Sequence, residues 1–413
     1  MQTEFDVAVI GLGAMGSMAL WQLAEDGLNV IGFEQFGVGH DRGAVGGETR
    51  LFRRMQTSRP DYTPIIDIAR SQWLNLQEFA NVQILNETGG LTIGLANDPR
   101  LIAFRAAARG AGVETETLDR KEMNDRFPEH WLDHDEVGIL DPSQGFIRCE
   151  QAVLTAVARA RALGASVQDY SKVRIEHATA GGVLLTDGQR EWRAKKVIVT
   201  TGSWSRDHLG PGLRDRSRPR RIKLTWFSPL PGHDFGPTTF PVFDRLVSDG
   251  ILYGAPSLDT GGSVKIAPGG APTEISGPDD YPRGQTVDEI LYMEEHVSRY
   301  FPGLHKSPIR ASAWTDFYVD DWIPFLGFLP HSQNVVIANG FAGFGFKMCP
   351  GIGRIAADIV QGKIDTRFQF MDPSRAIAAI TGPPRGSSYS YGSQDLPSAR
   401  RRLCRTGAPA GDR

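Results

Sequence analysis

Cysteine is scarce in this chain. Its 413 residues hold three, Cys149, Cys349 and Cys404, with no close pairing and no metal-ligand spacing. That argues against a disulfide scaffold or a zinc site and for a reducing compartment, of which the cytoplasm is the simplest. Positive charge is not in excess either: the formal net charge is -3 and 23% of residues are charged, so no nucleic-acid partner is expected. No apolar run approaches the roughly 20 residues of a membrane span, so no insertion in a bilayer is expected. The first strand begins so near Met1 that no signal peptide is expected. Internal repeats of fixed period are lacking. Apolar periodicity also stops at about residue 381, where Gly, Ser, Pro and Arg take over. This predicts a flexible tail over 381–413, with Arg400-Arg401-Arg402 a solvated run rather than a binding patch.

What is present begins at the amino end. Phe5-Asp6-Val7-Ala8-Val9-Ile10-Gly11-Leu12-Gly13-Ala14-Met15-Gly16 leads through a helical stretch, 17–24, stopped by Gly27, to Asn29-Val30-Ile31-Gly32-Phe33-Glu34. The order is strand, glycine turn, helix, strand, ending on an acid, which is the full context of an adenine-dinucleotide unit. Gly11 serves the tight turn, Gly13 the approach of backbone to a pyrophosphate, and Gly16 the close packing of helix on strand. The phosphates would sit at the helix amino end, beside Ala14 and Met15. Glu34 suits a ribose hydroxyl and would repel the extra phosphate of NADP. The unit serves FAD and NAD alike, so the choice between them must come from the rest of the chain.

Length alone makes two domains the default. After Glu34, the glycine-rich 36–50 is too irregular for a regular element and reads as a functional loop. The stretch 62–79 has helical apolar spacing and reads as a helix on the surface of the first domain. Then 82–85 and 91–94, separated by Gly89-Gly90, read as neighbouring antiparallel strands and mark a different domain. Helices are predicted over 98–110, 120–127, 150–163 and 287–300, with a strand at 137–140, short strands at 166–167, 173–175 and 182–185, and sheet-like alternation over 226–253 and 263–266. Two further strands end on glycine turns: Val197-Ile198-Val199-Thr200-Thr201-Gly202-Ser203-Trp204, a second place for backbone to meet a cofactor, and 334–339, which enters Gly340-Phe341-Ala342-Gly343-Phe344-Gly345-Phe346-Lys347 before a helix at 352–360. The nucleotide domain is therefore expected to be discontinuous, with a second sheet inserted.

Taken in order, the amino-terminal unit, Gly47-Glu48-Thr49-Arg50-Leu51-Phe52-Arg53, the 197–204 stretch and the 340–347 turn resemble the monomeric sarcosine oxidase and N-methyltryptophan oxidase family, within the D-amino-acid-oxidase class of flavoenzymes. The resemblance runs from Asp6 to about Asp365 and favours FAD over NAD. It implies an α/β fold: a Rossmann-like FAD-binding domain of 1–84, 149–218 and 321–380, with an inserted α+β substrate domain of 85–148 and 219–320 on a mixed or antiparallel sheet. It also implies FAD contacts by Thr49, Arg50, Val173, Gly202, Trp204, Gly343, Gly345, Phe346 and Lys347 beside those of the amino-terminal unit. Arg50 and Arg53 would lie near the flavin, Arg53 and Lys347 binding the substrate carboxylate. A guanidinium fork suits a carboxylate in a way that lysine cannot copy, although each arginine taken alone reads as a surface ion pair. Lys265, in Ser263-Val264-Lys265-Ile266, matches the lysine that promotes reaction of the reduced flavin with O2; taken alone it reads as a solvated edge residue.

Two departures from the family stand out. Its flavin-linking cysteine falls at Ser312 in Ser312-Ala313-Trp314-Thr315, so FAD is expected to be held without a covalent bond. Its amine-side histidines are replaced by Pro268-Gly269 and Phe344-Gly345, which predicts a larger or more apolar substrate walled by Phe344 and either Tyr253 or Trp314. The expectation is a monomeric oxidase of an N-alkylated or cyclic secondary amino acid, forming an imine and H2O2. A dehydrogenase with another acceptor, a catalytically silent flavin-binding module and, more distantly, an NAD enzyme are the competing readings. No general base is evident.

Overall fold

The computed structural model describes residues 4–56, 59–270 and 272–378. The expected tail, with Cys404 and Arg400-Arg401-Arg402, lies outside the described residues. The apolar run at the amino end forms strand β1 (Glu4–Ile10) at the centre of an eight-stranded sheet. Its neighbours are β2 (Val30–Phe33) on one side and the Glu191–Val199 strand on the other, both parallel to it. Being central, β1 is buried on both faces. Val7 and Val9 enter one apolar cluster, Phe5, Ala8 and Ile10 the other, as a parallel strand covered on both sides requires. Helices α1 (Ala14–Glu25) and α2 (Thr63–Ala80) and the helices Cys149–Ala162 and Cys349–Val360 cover the first of those faces. In α2 the inward side chains Ile65, Ile66, Ala69, Trp73 and Leu76 are buried, so the amphipathic spacing marks a helix on the outside of this sheet.

Strands from late in the chain complete the sheet. Val335–Asn339 pairs in parallel with Glu191–Val199, and Phe325–Phe328 pairs antiparallel with Val335–Asn339. A second sheet has nine strands, in which Gly90–Leu95 and Val242–Val247 pair in parallel and the other neighbours are antiparallel. The mixed α/β architecture with a second, mixed sheet follows the expectation.

One pairing departs from it. The strands expected at 82–85 and 91–94 are not partners: Leu85–Asn86 joins β3 (Thr49–Phe52) and Gly145–Arg148 in a small sheet, whereas Gly90–Leu95 belongs to the nine-stranded one. The Gln77 side-chain carbonyl takes the N–H groups of Ile84 and Leu85 at 2.9 and 3.1 Å. Gly89, at φ 78°, then turns the chain out of the small sheet toward the larger. The alternation over 226–253 is also interrupted, because one strand ends at Phe227 and the next begins at Val242.

Register on the second sheet aligns side chains for the site. Asp244 stands beside Thr92 on one neighbouring strand and Tyr253 on the other, and Tyr253 beside Ala267. Lys265, two residues from Ala267, shares its face and stands opposite Trp226. The residues flanking Asp244 turn the other way, with Phe243 in an apolar cluster and Arg245 fully buried against Glu136.

Candidate active site

The two sheets share the lining of one cavity of about 1560 Å³. That exceeds the roughly 300–1,000 Å³ of an ordinary small-ligand pocket. The cavity runs from the first glycine turn to the face that carries Asp244 and Tyr253.

At the first end, Gly11 has φ 89°, and a Cβ there would stand 2.9 Å from the Thr200 carbonyl oxygen. A Cβ on Gly16 would lie 1.8 Å from the Gly11 carbonyl oxygen, so helix and strand pack backbone to backbone. Gly13 differs: the nearest atom to its Cβ position is Val45 Cγ2 at 3.9 Å, which leaves it open to the cavity. As N-cap of α1, Gly13 offers no side chain to the helix amino end, and the first turn holds no acid. The exposed N–H groups and positive end of the dipole are thus available to a phosphate. Ala14 and Met15 line the cavity beside it.

Glu34 closes this end. Its carboxylate accepts the Leu12 N–H at 2.9 Å and the Phe36 N–H at 3.0 Å, and His40 Nε2 lies 3.4 Å away. Burial alone would raise its pKa, but His40 and the two backbone donors outweigh burial and hold it below the usual carboxylate range. An ionised acid on the wall suits a sugar hydroxyl. Val173, Gly202 at φ 52° and Trp204 line the same region, the Trp204 indole donating to both oxygens of Asp279.

The middle is built by the glycine loop before β3. Arg50 holds it from within: its guanidinium donates to the carbonyls of Thr49 and Ala44, each at 2.8 Å, and of Gly46 at 2.7 Å. Lys265 reaches the same segment from the second sheet. Its ammonium donates to the Thr49 carbonyl and hydroxyl and, at 3.3 Å, to the Gly47 carbonyl. Burial, aided by repulsion from Arg50, brings the Lys265 pKa down to about 7. Lys265 is buried, so it is no solvated edge residue. Gly343, at φ 77°, donates its N–H to Asp316 at 2.8 Å, while a Cβ on Gly345 would collide with Phe341 and Met15. Phe346 stacks on Trp73, whose indole donates to the Lys347 carbonyl at 3.2 Å.

The far end gathers charge. Arg53 forms an ion pair with Asp244. Lys347 lies with its ammonium 5.1 Å from the centre of the Phe344 ring, and among the described residues it donates no side-chain hydrogen bond. Burial and the nearby Arg53 bring the Lys347 pKa to about 7, with Asp244 pulling the other way. Burial likewise pushes the Asp244 carboxyl up, against Arg53 and Lys347. Tyr253 and Tyr318 line this region, and burial raises both phenols. Sequence reasoning missed Asp244, Asp316 and Tyr318. The available signal was an acid inside an apolar strand run, 242–247, which strand register alone turns toward the cavity.

Trp314 is no wall residue. It is buried with Leu224 and Trp226 beneath Gly46 and is absent from the cavity lining. Ser312 lies in the Arg310–Val319 strand, its carbonyl accepting from Gln285 at 3.1 Å. Cys149 and Cys349 are buried with free thiols. Among the described residues there is no group of His, Cys, Asp and Glu able to hold a metal ion, and no helix long and apolar enough to cross a membrane.

Known proteins resemble this chain over most of its length. The family model described as FAD dependent oxidoreductase matches residues 6–359. A monomeric sarcosine oxidase of Streptomyces avermitilis is 28% identical over 391 residues, spanning 92% of this chain and 100% of that protein. An N-methyl-L-tryptophan oxidase of Yersinia pestis is 25% identical over 361 residues, 87% of this chain and 96% of that one. Among solved structures, NikD, an amino acid oxidase essential for nikkomycin biosynthesis, superimposes with a TM-score of 0.78 at 22% identity, covering 89% of this chain and 97% of its own. That last likeness is one of fold.

Proposed function

The chain belongs to the FAD dependent oxidoreductase family, and from that premise we propose that it is an oxidase of an N-alkylated or cyclic secondary amino acid. The observation that carries the proposal is the continuity of one cavity from the open Gly13 turn to Arg53 and Lys347. FAD would be held by the α1 amino end, Glu34 and the loop that Arg50 ties, without a covalent bond at Ser312. When bound, FAD would supply the redox chemistry, a two-electron oxidation of the substrate C–N bond with O2 as the final acceptor and H2O2 as product.

The chain's own residues bind and orient. Arg53 and Lys347 take the substrate carboxylate by charge-assisted hydrogen bonds, fixing which C–H faces the middle of the cavity. Phe344 and Tyr253 wall the amine side and exclude water. Lys265, pinned by Thr49 and Gly47, places a positive charge in a buried region where developing negative charge is stabilised. We further read the protein as a cytoplasmic monomer, with the domains divided as expected from its sequence.

The test is spectroscopic. The purified protein is expected to be yellow, to release its colour into the supernatant on acid precipitation, and to bleach anaerobically with one member of a panel of N-methyl and cyclic amino acids. Admission of air should then yield H2O2. A protein unable to take up FAD would refute the reading, a yellow acid pellet would refute non-covalent attachment, and bleaching without H2O2 would identify a dehydrogenase.

A further inference from the structure

Asp244 has no role in the scheme above, yet it lines the cavity beside both cations of the carboxylate clamp. Its place is set by register: Thr92 on one neighbouring strand and Tyr253 on the other stand level with it. Its side chain forms an ion pair with Arg53. The charges that act on Lys347 are Arg53, which repels its proton, and Asp244, which favours it. Thr92, Tyr253 and Phe344, which line this end as well, carry no charge at neutral pH.

We propose that Asp244 is a specificity-determining residue that limits the substrate to one carboxylate, by offsetting one of the two positive charges of Arg53 and Lys347. This inference rests on the clamp proposed above. With Arg53 and Lys347 protonated and Asp244 ionised, the three side chains sum to one positive charge, and a single substrate carboxylate brings the sum to zero. A second carboxylate near the first would leave one negative charge that these three side chains do not offset. Selection against a competitor requires such a repulsive element as well as an attractive one. The substrate class is therefore a monocarboxylic secondary amino acid with an uncharged side chain, matching the apolar Phe344 wall.

The test uses the FAD-loaded protein and two unreactive probes, acetate and malonate, each titrated against the flavin absorbance at one fixed pH below neutrality. The wild type is expected to bind acetate more tightly than malonate by about tenfold or more. In Asp244→Asn, which keeps size and shape, the ratio should move toward malonate by about tenfold or more. A wild type that binds malonate as tightly as acetate overturns the proposal without any variant, and so does an unchanged ratio in D244N. If neither probe perturbs the flavin in wild type or variant, the carboxylate clamp fails and takes this inference with it. A shifted ratio in a protein that oxidises no amino acid overturns the oxidase reading alone.

Discussion

Lys265 and Lys347 both have their pKa brought to about 7 by burial, each with a neighbouring arginine adding to the effect, but their surroundings differ. The Lys265 ammonium is tied to the Gly47–Thr49 backbone, whereas Lys347 lines the cavity with its ammonium near the Phe344 ring. A lysine depressed to about 7 is charged below that pH and neutral above it. Acetate affinity of the FAD-loaded protein is therefore expected to fall as pH rises above about 7. Bound acetate favours the ammonium, so one proton should be taken up per acetate in that upper window. Calorimetry in buffers of different ionisation enthalpy measures that proton. Lys347→Met should weaken acetate by more than about tenfold at low pH and abolish the uptake. For Lys265→Met, stopped-flow mixing with air should show flavin reoxidation slowed by about a hundredfold or more, with anaerobic reduction changed far less. Equal loss in both half-reactions would mean that Lys265 acts only by holding the Thr49 segment.

At the scale of the element, β1, its turn and α1 show how three glycines at fixed spacing do different work. Gly16 is a packing residue, since its Cβ position lies 1.8 Å from the Gly11 carbonyl oxygen. Gly16→Ala must push α1 away from β1. It is expected to destabilise the protein by about 1–3 kcal/mol or more, read as a lowered thermal midpoint. Gly13→Ala meets nothing closer than 3.9 Å. It should leave the flavin-free protein about as stable as wild type while weakening FAD, measured by titration of the flavin-free form. If both variants lose stability alike, Gly13 serves the fold rather than the cofactor. The strand Val242–Val247 gives the complementary lesson. Its residues alternate between Asp244 toward the cavity and Phe243 and Arg245 toward the core, so a one-residue slip would exchange the two sets.

Across the whole molecule, the cavity lining joins the two sheets, with Gly13 and Glu34 from one and Asp244 and Tyr253 from the other. A ligand that spans it stabilises the folded state by mass action, about 2.7 kcal/mol at a free concentration one hundred times its dissociation constant. Adding FAD to the flavin-free protein is expected to raise the thermal midpoint as one transition by calorimetry. A second transition left behind at the original midpoint would show that FAD engages the first sheet alone.

Much of this organisation is legible along the chain because its signals are local. The apolar run of β1, the spacing of Gly11, Gly13 and Gly16, the acid at Glu34 and the 287–300 helix lie within short stretches, where backbone propensity and hydrophobic period act directly. So do the motifs that carry Arg50, Arg53, Lys265 and Lys347. Long-range pairing is not legible in that way. The 82–85 and 91–94 segments read as partners, and only the competing Gly145–Arg148 strand and the Gln77 side chain separate them. Trp314 reads as wall or core alike until packing with Leu224 and Trp226 puts it in the core. The chain by itself determined the cofactor-type turn, the two-sheet α/β plan and most of the cationic side chains. Tertiary structure alone decided that Asp244 meets Arg53 and that Lys265 is buried on the Thr49 backbone. Strand register and burial depend on which distant segments win the pairing, and that competition leaves no local mark in the sequence.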